Sequence, residues 1–363
     1  MKTVVTVVGA RPQFIKAAPL SKALAAAGGI VEHIVHTGQH FDANMSDVFF
    51  NELGIESPAR YLGISGGTHG AMTGAMLAAL EASYLELKPD MVLVYGDTNS
   101  TLAGTLAASK LHIPVAHVEA GLRSYNRRMP EEQNRIVTDH LADLLLTPSN
   151  VASSNLAREG IPSARVVQVG DIMYDAALQV SEVARCSSTI LDQLGIQERG
   201  YVLSTVHRAE NTDEPERLLA IVEALEMVAR EIPVVLPLHP RTRAILEKLG
   251  RKLDGVQLIE PVGYLDMVLL EAAAAVVATD SGGVQKEAYF HGVPCITLRD
   301  ETEWVELVES GWNRLEAPTD SGRVAAAILN AQGRTGQAVT PYGDGKAAEK
   351  IVKAIDRLLG SEV

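Results

Sequence analysis

The sequence predicts an α/β protein made of two doubly wound halves, each built on a parallel sheet. Three observations carry this. Short runs such as Thr3 to Val8, Asp90 to Tyr95, Tyr201 to Val206 and Pro233 to Leu238 are apolar at successive rather than alternate positions, the pattern of strands buried on both faces. Ala- and Leu-rich stretches of helical length separate them, and strand–helix–strand alternation implies right-handed crossovers. The alternation restarts past Gly170 in a chain of 363 residues, which is long for one core.

In the first half, Thr3 to Val8 is a strand that turns at Gly9-Ala10-Arg11-Pro12 into a helix, where Pro19 is expected to kink or restart it. Val31 to His36 is the second strand, ending in Thr37-Gly38-Gln39-His40. A polar segment with Gly63, Gly66 and Gly67 leads to a helix over Ala71 to Leu87. Asp90 to Tyr95 ends in Gly96-Asp97-Thr98-Asn99-Ser100, a helix follows to Leu111, and Pro114 to Val118 runs into Glu119-Ala120-Gly121-Leu122-Arg123. Pro130-Glu131-Glu132 opens a helix whose apolar positions Ile136, Val137, Leu141 and Leu144 recur at helical spacing. First-turn acids complement the helix dipole, which by itself accounts for Glu131. His140, on the body of the helix, reads as structural.

Val166 to Gly170 is a short strand, and Gly170-Asp171 is the expected crossing, giving a first domain over residues 1–170 and a second over 171–345. In the second, Tyr201 to Val206 ends in His207-Arg208-Ala209-Glu210-Asn211, and Pro233 to Leu238 ends in His239-Pro240-Arg241. Val256 to Ile259 precedes a helix over Asp266 to Ala274. The next strand ends in Asp280-Ser281-Gly282-Gly283, and Gln285 to Phe290 is helical. Pro294 to Leu298 leads to Arg299-Asp300-Glu301-Thr302-Glu303-Trp304. An amphipathic helix from Ala347 to Leu359 falls in a closing segment, 346–363.

Composition excludes several function classes. Lys and Arg number 32 against 45 Asp and Glu, a net charge of −13 that argues against a nucleic-acid partner. An acidic chain that binds anions must gather its cations inside a cleft. The two cysteines, Cys186 and Cys295, form neither a disulfide framework nor a metal pattern and fit a reducing, cytoplasmic setting. Met1 to Gly9, with Arg11 close behind, does not read as a signal peptide, and no apolar stretch approaches the ~20 residues needed to span a membrane.

Ligands of doubly wound sheets sit beyond the carboxyl ends of the strands. Arg11 and Lys16 flank the first such turn, and Asp97 and Glu119 are each the first charged residue after a strand. Gly9-Ala10-Arg11-Pro12 is not G-x-G-x-x-G, so no nicotinamide or flavin site is read there. Ser281-Gly282-Gly283 has two readings: a helix cap with a tight turn, or bare amides at the positive end of a helix dipole that cradle a phosphate. If two Rossmann-like halves face each other across a cleft, it holds His207, Arg11, Lys16 and the Gly-Gly turn, which suit a nucleotide diphosphate. The carboxylates are not needed to bind a polyanion and read as proton-transfer groups. His117-x-Glu119 is the nearest thing to a ligand pair, lacks further ligands, and demands no metal.

Gly9-Ala10-Arg11-Pro12-Gln13-Phe14-Ile15-Lys16, Tyr95-Gly96-Asp97-Thr98, His117-Val118-Glu119-Ala120-Gly121-Leu122-Arg123 and Pro130-Glu131-Glu132 together resemble the non-hydrolysing UDP-N-acetylglucosamine 2-epimerases. His207-Arg208-Ala209-Glu210-Asn211 and Asp280-Ser281-Gly282-Gly283-Val284-Gln285-Lys286-Glu287 continue the resemblance over nearly the whole chain. It implies a glycosyltransferase-B architecture with the closing helix packed back on the first domain, a homodimer, and cofactor-free inversion at C2 of a UDP-sugar. Asp97, Glu119 and Glu131 are then the acid/base carboxylates, so Glu131 gains a role that helix chemistry did not require. By the same resemblance His207, Arg11 and Lys16 stabilise the departing diphosphate. Ser281, Gly282 and Gly283 hold phosphate, Glu287 takes the ribose hydroxyls, and backbone around Val262 and Met267 lines the uracil pocket.

Two departures from the N-acetylglucosamine pattern point to a substrate. Thr302-Glu303-Trp304-Val305-Glu306 has Trp304 in place of a phosphate-side arginine, and Gln13 stands where glutamate is common. Both variants, with Thr37-Gly38-Gln39-His40-Phe41-Asp42-Ala43-Asn44-Met45-Ser46, resemble the branch acting on UDP-2,3-diacetamido-2,3-dideoxyglucuronic acid, used in surface polysaccharide synthesis. A neutral Gln13 would tolerate a sugar carboxylate better than glutamate would. Phe41 and Asp42 depart from the residues used for substrate activation in some relatives. The alternatives are a UDP-N-acetylglucosamine 2-epimerase, a UDP-sugar glycosyltransferase of the same fold, and a catalytically silent UDP-sugar sensor; neither of the last two has reason to keep three carboxylates.

Overall fold

The computed structural model describes residues 1–39 and 57–360. His40 to Ser46, including Phe41 and Asp42, lie outside the described residues, as does the side chain of Arg11. The chain divides into two compact units, Met1–Ala176 with Thr340–Val363, and Ala177–Val339. The sequence reading drew the crossing at Gly170-Asp171 and the end of the second domain at residue 345.

The first unit is built on a seven-stranded, wholly parallel sheet. Its strands are β1 (Lys2–Val8), β2 (Ile30–His36), β3 (Arg60–Tyr61), β4 (Met91–Tyr95), β5 (Val115–Val118), β6 (Leu144–Thr147) and β7 (Val166–Gln168), in the order β3-β2-β1-β4-β5-β6-β7. Its helices are α1 (Arg11–Ala27), α2 (His69–Leu87), α3 (Asn99–Lys110), α4 (Pro130–Leu141) and α5 (Asn150–Arg158). Helix α6 (Ile172–Ser187) carries the chain across the division. Val5, Val7, Val92 and Val94 are buried in one cluster with Met76, Leu80 and Tyr84 of α2. These β-branched strand residues have no solvent-facing side, hence the continuous apolar runs in the sequence.

The second unit has a six-stranded parallel sheet in the order β10-β9-β8-β11-β12-β13. Here β8 is Val202–Thr205, β9 Val234–Pro237, β10 Gln257–Ile259, β11 Val276–Thr279, β12 Cys295–Thr297 and β13 Asn313–Leu315. Its helices are α7 (Ile190–Leu194), α8 (Ala209–Thr212), α9 (Pro215–Ala229), α10 (Pro240–Lys248), α11 (Tyr264–Ala273), α12 (Gly282–Phe290), α13 (Val305–Glu309) and α14 (Ser321–Ala331). The last helix, α15 (Ala347–Gly360), belongs to the first unit and packs on α1. There the buried carboxylate of Asp175 accepts the amides of Ala347 (3.0 Å) and Ala348 (2.9 Å).

Three expectations are corrected. Helix α1 runs unbroken through Pro19, whose missing amide costs one hydrogen bond rather than the helix. Leu144 is not on the α4 face: the helix ends at Leu141, Ala142 is extended, and Leu144 opens a buried strand. Within α4 the buried residues are Glu132, Asn134, Arg135, Thr138 and Asp139, while Val137 is exposed. This helix turns its polar face inward because that face finds partners there.

Candidate active site

In both units the strand order reverses beside the first strand, between β1 and β4 in one and between β8 and β11 in the other. Connections leave these neighbours in opposite directions, opening a crevice at their carboxyl ends. The sequence-predicted groups fall at those ends: Lys16 and Asp97 beyond β1 and β4, His207 and Ser281 to Gly283 beyond β8 and β11.

The first crevice is tied together by Gln13. Its Oε1 accepts the amides of Gly9 (2.8 Å) and Ala10 (3.1 Å), and its Nε2 donates to the Tyr95 carbonyl (2.9 Å) and to Thr98 and Thr101 Oγ1 (3.0 Å each). Gln13 is therefore spent on joining two strand ends. The side chain is buried and its amide fully engaged, so any bearing of its neutrality on a substrate carboxylate is through the field and not through contact.

Lys16 pairs with Glu119, and both side chains are nearly buried, at 13% and 10% exposure. Gly96 adopts φ +61° beside that pair, and an added Cβ would lie 3.3 Å from both Glu119 Oε2 and Lys16 Nζ. Glu119 has φ +72°, a left-handed backbone that costs a non-glycine residue about 1–2 kcal/mol. The turn is held by the amides of Glu119 and Ala120 on the Leu146 carbonyl, at 3.1 and 3.2 Å.

Asp97 does not cap α3; Thr98 does. Its carboxylate lies 2.9 Å from Arg135 Nη1, and its carbonyl accepts from Asn134 Nδ2 at 2.8 Å. Side-chain exposure is 36%, yet the surrounding protein mass desolvates the carboxyl and raises its pKa against the pull of Arg135 and Lys16, with Glu119 and Glu131 adding to the rise. Glu131 is exposed in the first turn of α4, within electrostatic reach of Asp97.

Sequence reasoning missed the polar scaffold behind these groups. Glu132 accepts the amides of Ser124 (2.9 Å) and Tyr125 (2.8 Å) and contacts Arg135 Nε at 3.2 Å. Asp139 takes His117 Nδ1 and Arg123 Nη1, both at 2.7 Å, and the Gly121 amide at 3.1 Å. Burial pushes the Asp139 carboxyl up, but the His117 and Arg123 contacts outweigh it and hold it low. The available signal was Glu132, Arg135 and Asp139 at i, i+3 and i+7, one face of a helix.

In the second crevice, Asp280 is wholly buried and accepts the amides of His207 and Arg208 and Asn211 Nδ2, each at 3.1 Å. It thereby shapes the turn carrying His207, whose Nδ1 is 3.6 Å from Asp280 Oδ1. Burial lowers the pKa of His207; Asp280 opposes this, and His239 and Arg208 add to it. At neutral pH the ring is thus a hydrogen-bond donor rather than a standing cation.

Ser281 occupies the N-cap position of α12, but its side chain makes no capping bond. The first amides of that nine-residue helix therefore offer dipole and donors without a competing hydroxyl. Gly282 leaves room for the Glu303 carboxylate, since an added Cβ would lie 2.4 Å from Glu303 Oε1 and force that side chain to shift. Glu303 contacts Arg299 at 2.9 Å and Arg208 at 3.9 Å, two cations that sequence reasoning left without a task. Trp304 donates its indole N–H to the Gly282 carbonyl at 2.9 Å, and Lys286 Nζ sits 4.2 Å from its ring centroid. Glu287 is half-buried on α12, with Oε2 3.9 Å from where a Gly283 Cβ would stand. Val262 precedes α11, and the Met267 amide closes its first turn on the Gly263 carbonyl at 3.0 Å.

Among the described residues no cluster of three or more His, Cys, Asp or Glu side chains could hold a metal ion, and no helix is long and apolar enough to cross a membrane. One unit thus carries acids at its switch point, the other a helix N-terminus with cations. Two Rossmann-like units so equipped define a glycosyltransferase-B-type protein of nucleotide-sugar chemistry. The model of the UDP-N-acetylglucosamine 2-epimerase family matches residues 22–356, and the chain belongs to that family. It is 54% identical over 358 residues to UDP-2,3-diacetamido-2,3-dideoxy-D-glucuronate 2-epimerase of Pseudomonas aeruginosa, covering 98% of this chain and 99% of that one. It is 48% identical over 361 residues to a UDP-N-acetylglucosamine 2-epimerase homolog of Methanococcus maripaludis, covering 98% and 99%. The crystal structure of the Methanocaldococcus jannaschii UDP-GlcNAc 2-epimerase in complex with UDP-GlcNAc and UDP superposes with a TM-score of 0.85 at 42% identity, covering 98% of this chain and 100% of that one.

Proposed function

We propose that the protein inverts C2 of a UDP-2-acetamido sugar without a cofactor, by elimination and re-addition of UDP. The C1–O bond breaks with its electrons passing to the β-phosphate oxygen, the C2 proton goes to a carboxylate, and a 2-acetamidoglucal forms. Return of a proton to the opposite face of C2 and re-addition of UDP at C1 give the epimer. A C2–H is weakly acidic, so the base must act as the charge departing on UDP is taken up by fixed donors.

The observation that carries this reading is Asp97. Burial raises its pKa above the ordinary carboxylate value, with Glu119 and Glu131 adding to the rise, as suits a group that must both take and return a proton. In this proposal Asp97, Glu119 and Glu131 are the acid/base set, with no face of C2 assigned to each. Lys16 and Arg11 serve the leaving diphosphate. His207 donates to it, Ser281, Gly282 and Gly283 hold it, Glu287 takes the ribose and the backbone around Val262 and Met267 the uracil. A silent sensor or a glycosyltransferase gives these three carboxylates no task.

The preferred substrate is UDP-2,3-diacetamido-2,3-dideoxyglucuronate, giving the manno epimer for surface polysaccharide such as lipopolysaccharide, in a cytoplasmic homodimer. The identity to the Pseudomonas aeruginosa enzyme and Trp304 support it. UDP-N-acetylglucosamine is the second reading, favoured by the named activity of several relatives. Incubation with each sugar nucleotide in deuterated water, with no acceptor or cofactor, should place deuterium at C2 and yield both epimers. No exchange with either would sink the mechanism; equal or better turnover of UDP-N-acetylglucosamine would overturn the substrate preference.

A further inference from the structure

His117 stands in the middle of β5 with no exposure to solvent. Its Nδ1 is 2.7 Å from Asp139 Oδ1 and its Nε2 is 2.8 Å from the Gly96 carbonyl oxygen. A backbone carbonyl can only accept. Asp139 can donate only if protonated, and its other oxygen is already taken by Arg123 Nη1 at 2.7 Å and the Gly121 amide at 3.1 Å. Those two donors require a carboxylate, consistent with the low value at which the site holds it. Two acceptors therefore face two ring nitrogens. A neutral imidazole, with one donor and one lone pair, would set that lone pair against an oxygen at hydrogen-bond distance.

Charge balance agrees. Arg123 also makes paired contacts of 2.7 Å to both Glu159 oxygens, and half-exposed His140 approaches Glu159 at 3.5 Å, so within the buried part of the cluster one guanidinium serves two carboxylates unless the His117 ring is charged. On the Nε2 side, the charged groups near the Gly96 turn are Asp97, next in sequence, and the Lys16–Glu119 pair beside it. Arg165 bonds only to backbone carbonyls at the end of α4.

We infer that His117 is a doubly protonated positioning residue that ties the Asp97 turn to the Glu119 turn. Through Nε2–H it fixes the Gly96 carbonyl, one peptide before Asp97. Through Nδ1–H and Asp139 it fixes the Gly121 amide, two residues past Glu119 with its left-handed backbone. One charged ring thus sets the separation of two carboxylates that it never touches. The positioning role rests on the epimerase reading; the protonation state does not.

The test uses the full chain with isotope-labelled histidine. In mildly alkaline buffer, where a solvent-exposed ring carries one proton, one ring among the ten histidines should show two protonated nitrogens. That signal should vanish in His117→Gln and become singly protonated in Asp139→Asn. Absence of any such ring, or its survival in either variant, overturns the assignment. For positioning, His117→Gln should lower kcat for C2 exchange by about 10²-fold, with UDP affinity unchanged. Unaltered kcat, or an equal loss of UDP affinity, overturns that role. A doubly protonated ring in a wild-type chain that exchanges no deuterium would leave the ring state standing and remove the function.

Discussion

The two switch points solve opposite problems with the same sheet. In the first unit the turns beyond β4 and β5 crowd like charges together: Asp97, Glu119 and Glu131, with Arg135 and Lys16 interleaved. In the second, Asp280 is turned inward onto the amides of its own neighbouring turn, and what faces outward is an uncapped helix start. An acid set among other charges has its proton affinity decided by burial and by those neighbours, whereas an acid spent on backbone amides is scaffold. A carboxylate at a strand end is thus defined by where its oxygens are spent.

The contrast breaks first at Asp97. Asp97→Asn should lower C2 exchange by roughly 10²–10⁴-fold, while UDP affinity stays within about twofold. Its stability sign also differs from that of an ordinary ion pair. Because folding raises the Asp97 pKa, its favourable contribution is complete below the ordinary carboxylate range and is lost as pH rises through the folded value. The variant should therefore melt no lower than wild type at neutral pH; a marked fall in Tm would show that the Arg135 contact outweighs burial.

Gly282→Ala should act on the other unit alone. A Cβ 2.4 Å from Glu303 Oε1 must displace Glu303 or the first turn of α12, an overpacking cost of about 1–3 kcal/mol. That corresponds to UDP binding weakened by up to ~100-fold in calorimetry. Unchanged affinity would mean that the amides of this turn do not hold phosphate.

His207 supplies a pH test. A diphosphate placed against a ring held below its ordinary value would favour the charged form. UDP should then bind more tightly as pH falls, by at most ~10-fold per unit, with proton uptake visible in buffers of different ionisation enthalpy. His207→Asn should abolish the uptake, and a wild type that takes up no proton would remove His207 from the phosphate.

The smallest effect is expected at Trp304. Trp304→Phe keeps a ring for Lys286 but loses the bond to the Gly282 carbonyl, about 0.5–1.5 kcal/mol. A few-fold loss of UDP affinity would mark Trp304 as a brace for the turn; a gain would mean that the indole obstructs the site.

The strands and their terminal charges were legible in the sequence because parallel strands buried on both faces are apolar throughout and stop abruptly. Lys16, Asp97, Glu119 and His207 each follow such a stop. Periodicity failed where a helix buries polar residues. The α4 face bearing Glu132, Arg135 and Asp139 resembles a solvent face until His117, Arg123 and the amides of Ser124 and Tyr125 are placed against it. Leu144 was misread because it falls in step with Leu141 across a helix end that only the extended Ala142 reveals. The charge of Gln13 was legible, but its task of joining two strand ends was not, because that depends on the Gly9 amide and the Tyr95 carbonyl that its side chain reaches.

The amides of Ala347 and Ala348 close on Asp175, and α15 lies against α1, so the first unit is completed by a helix synthesised after the whole of the second. On the ribosome, residues 177–339 emerge with every strand of their own sheet before that helix exists. The middle of the gene can therefore reach its native state first. The beginning must wait, with the face of α1 that α15 covers left open, until residues 347–360 have been made.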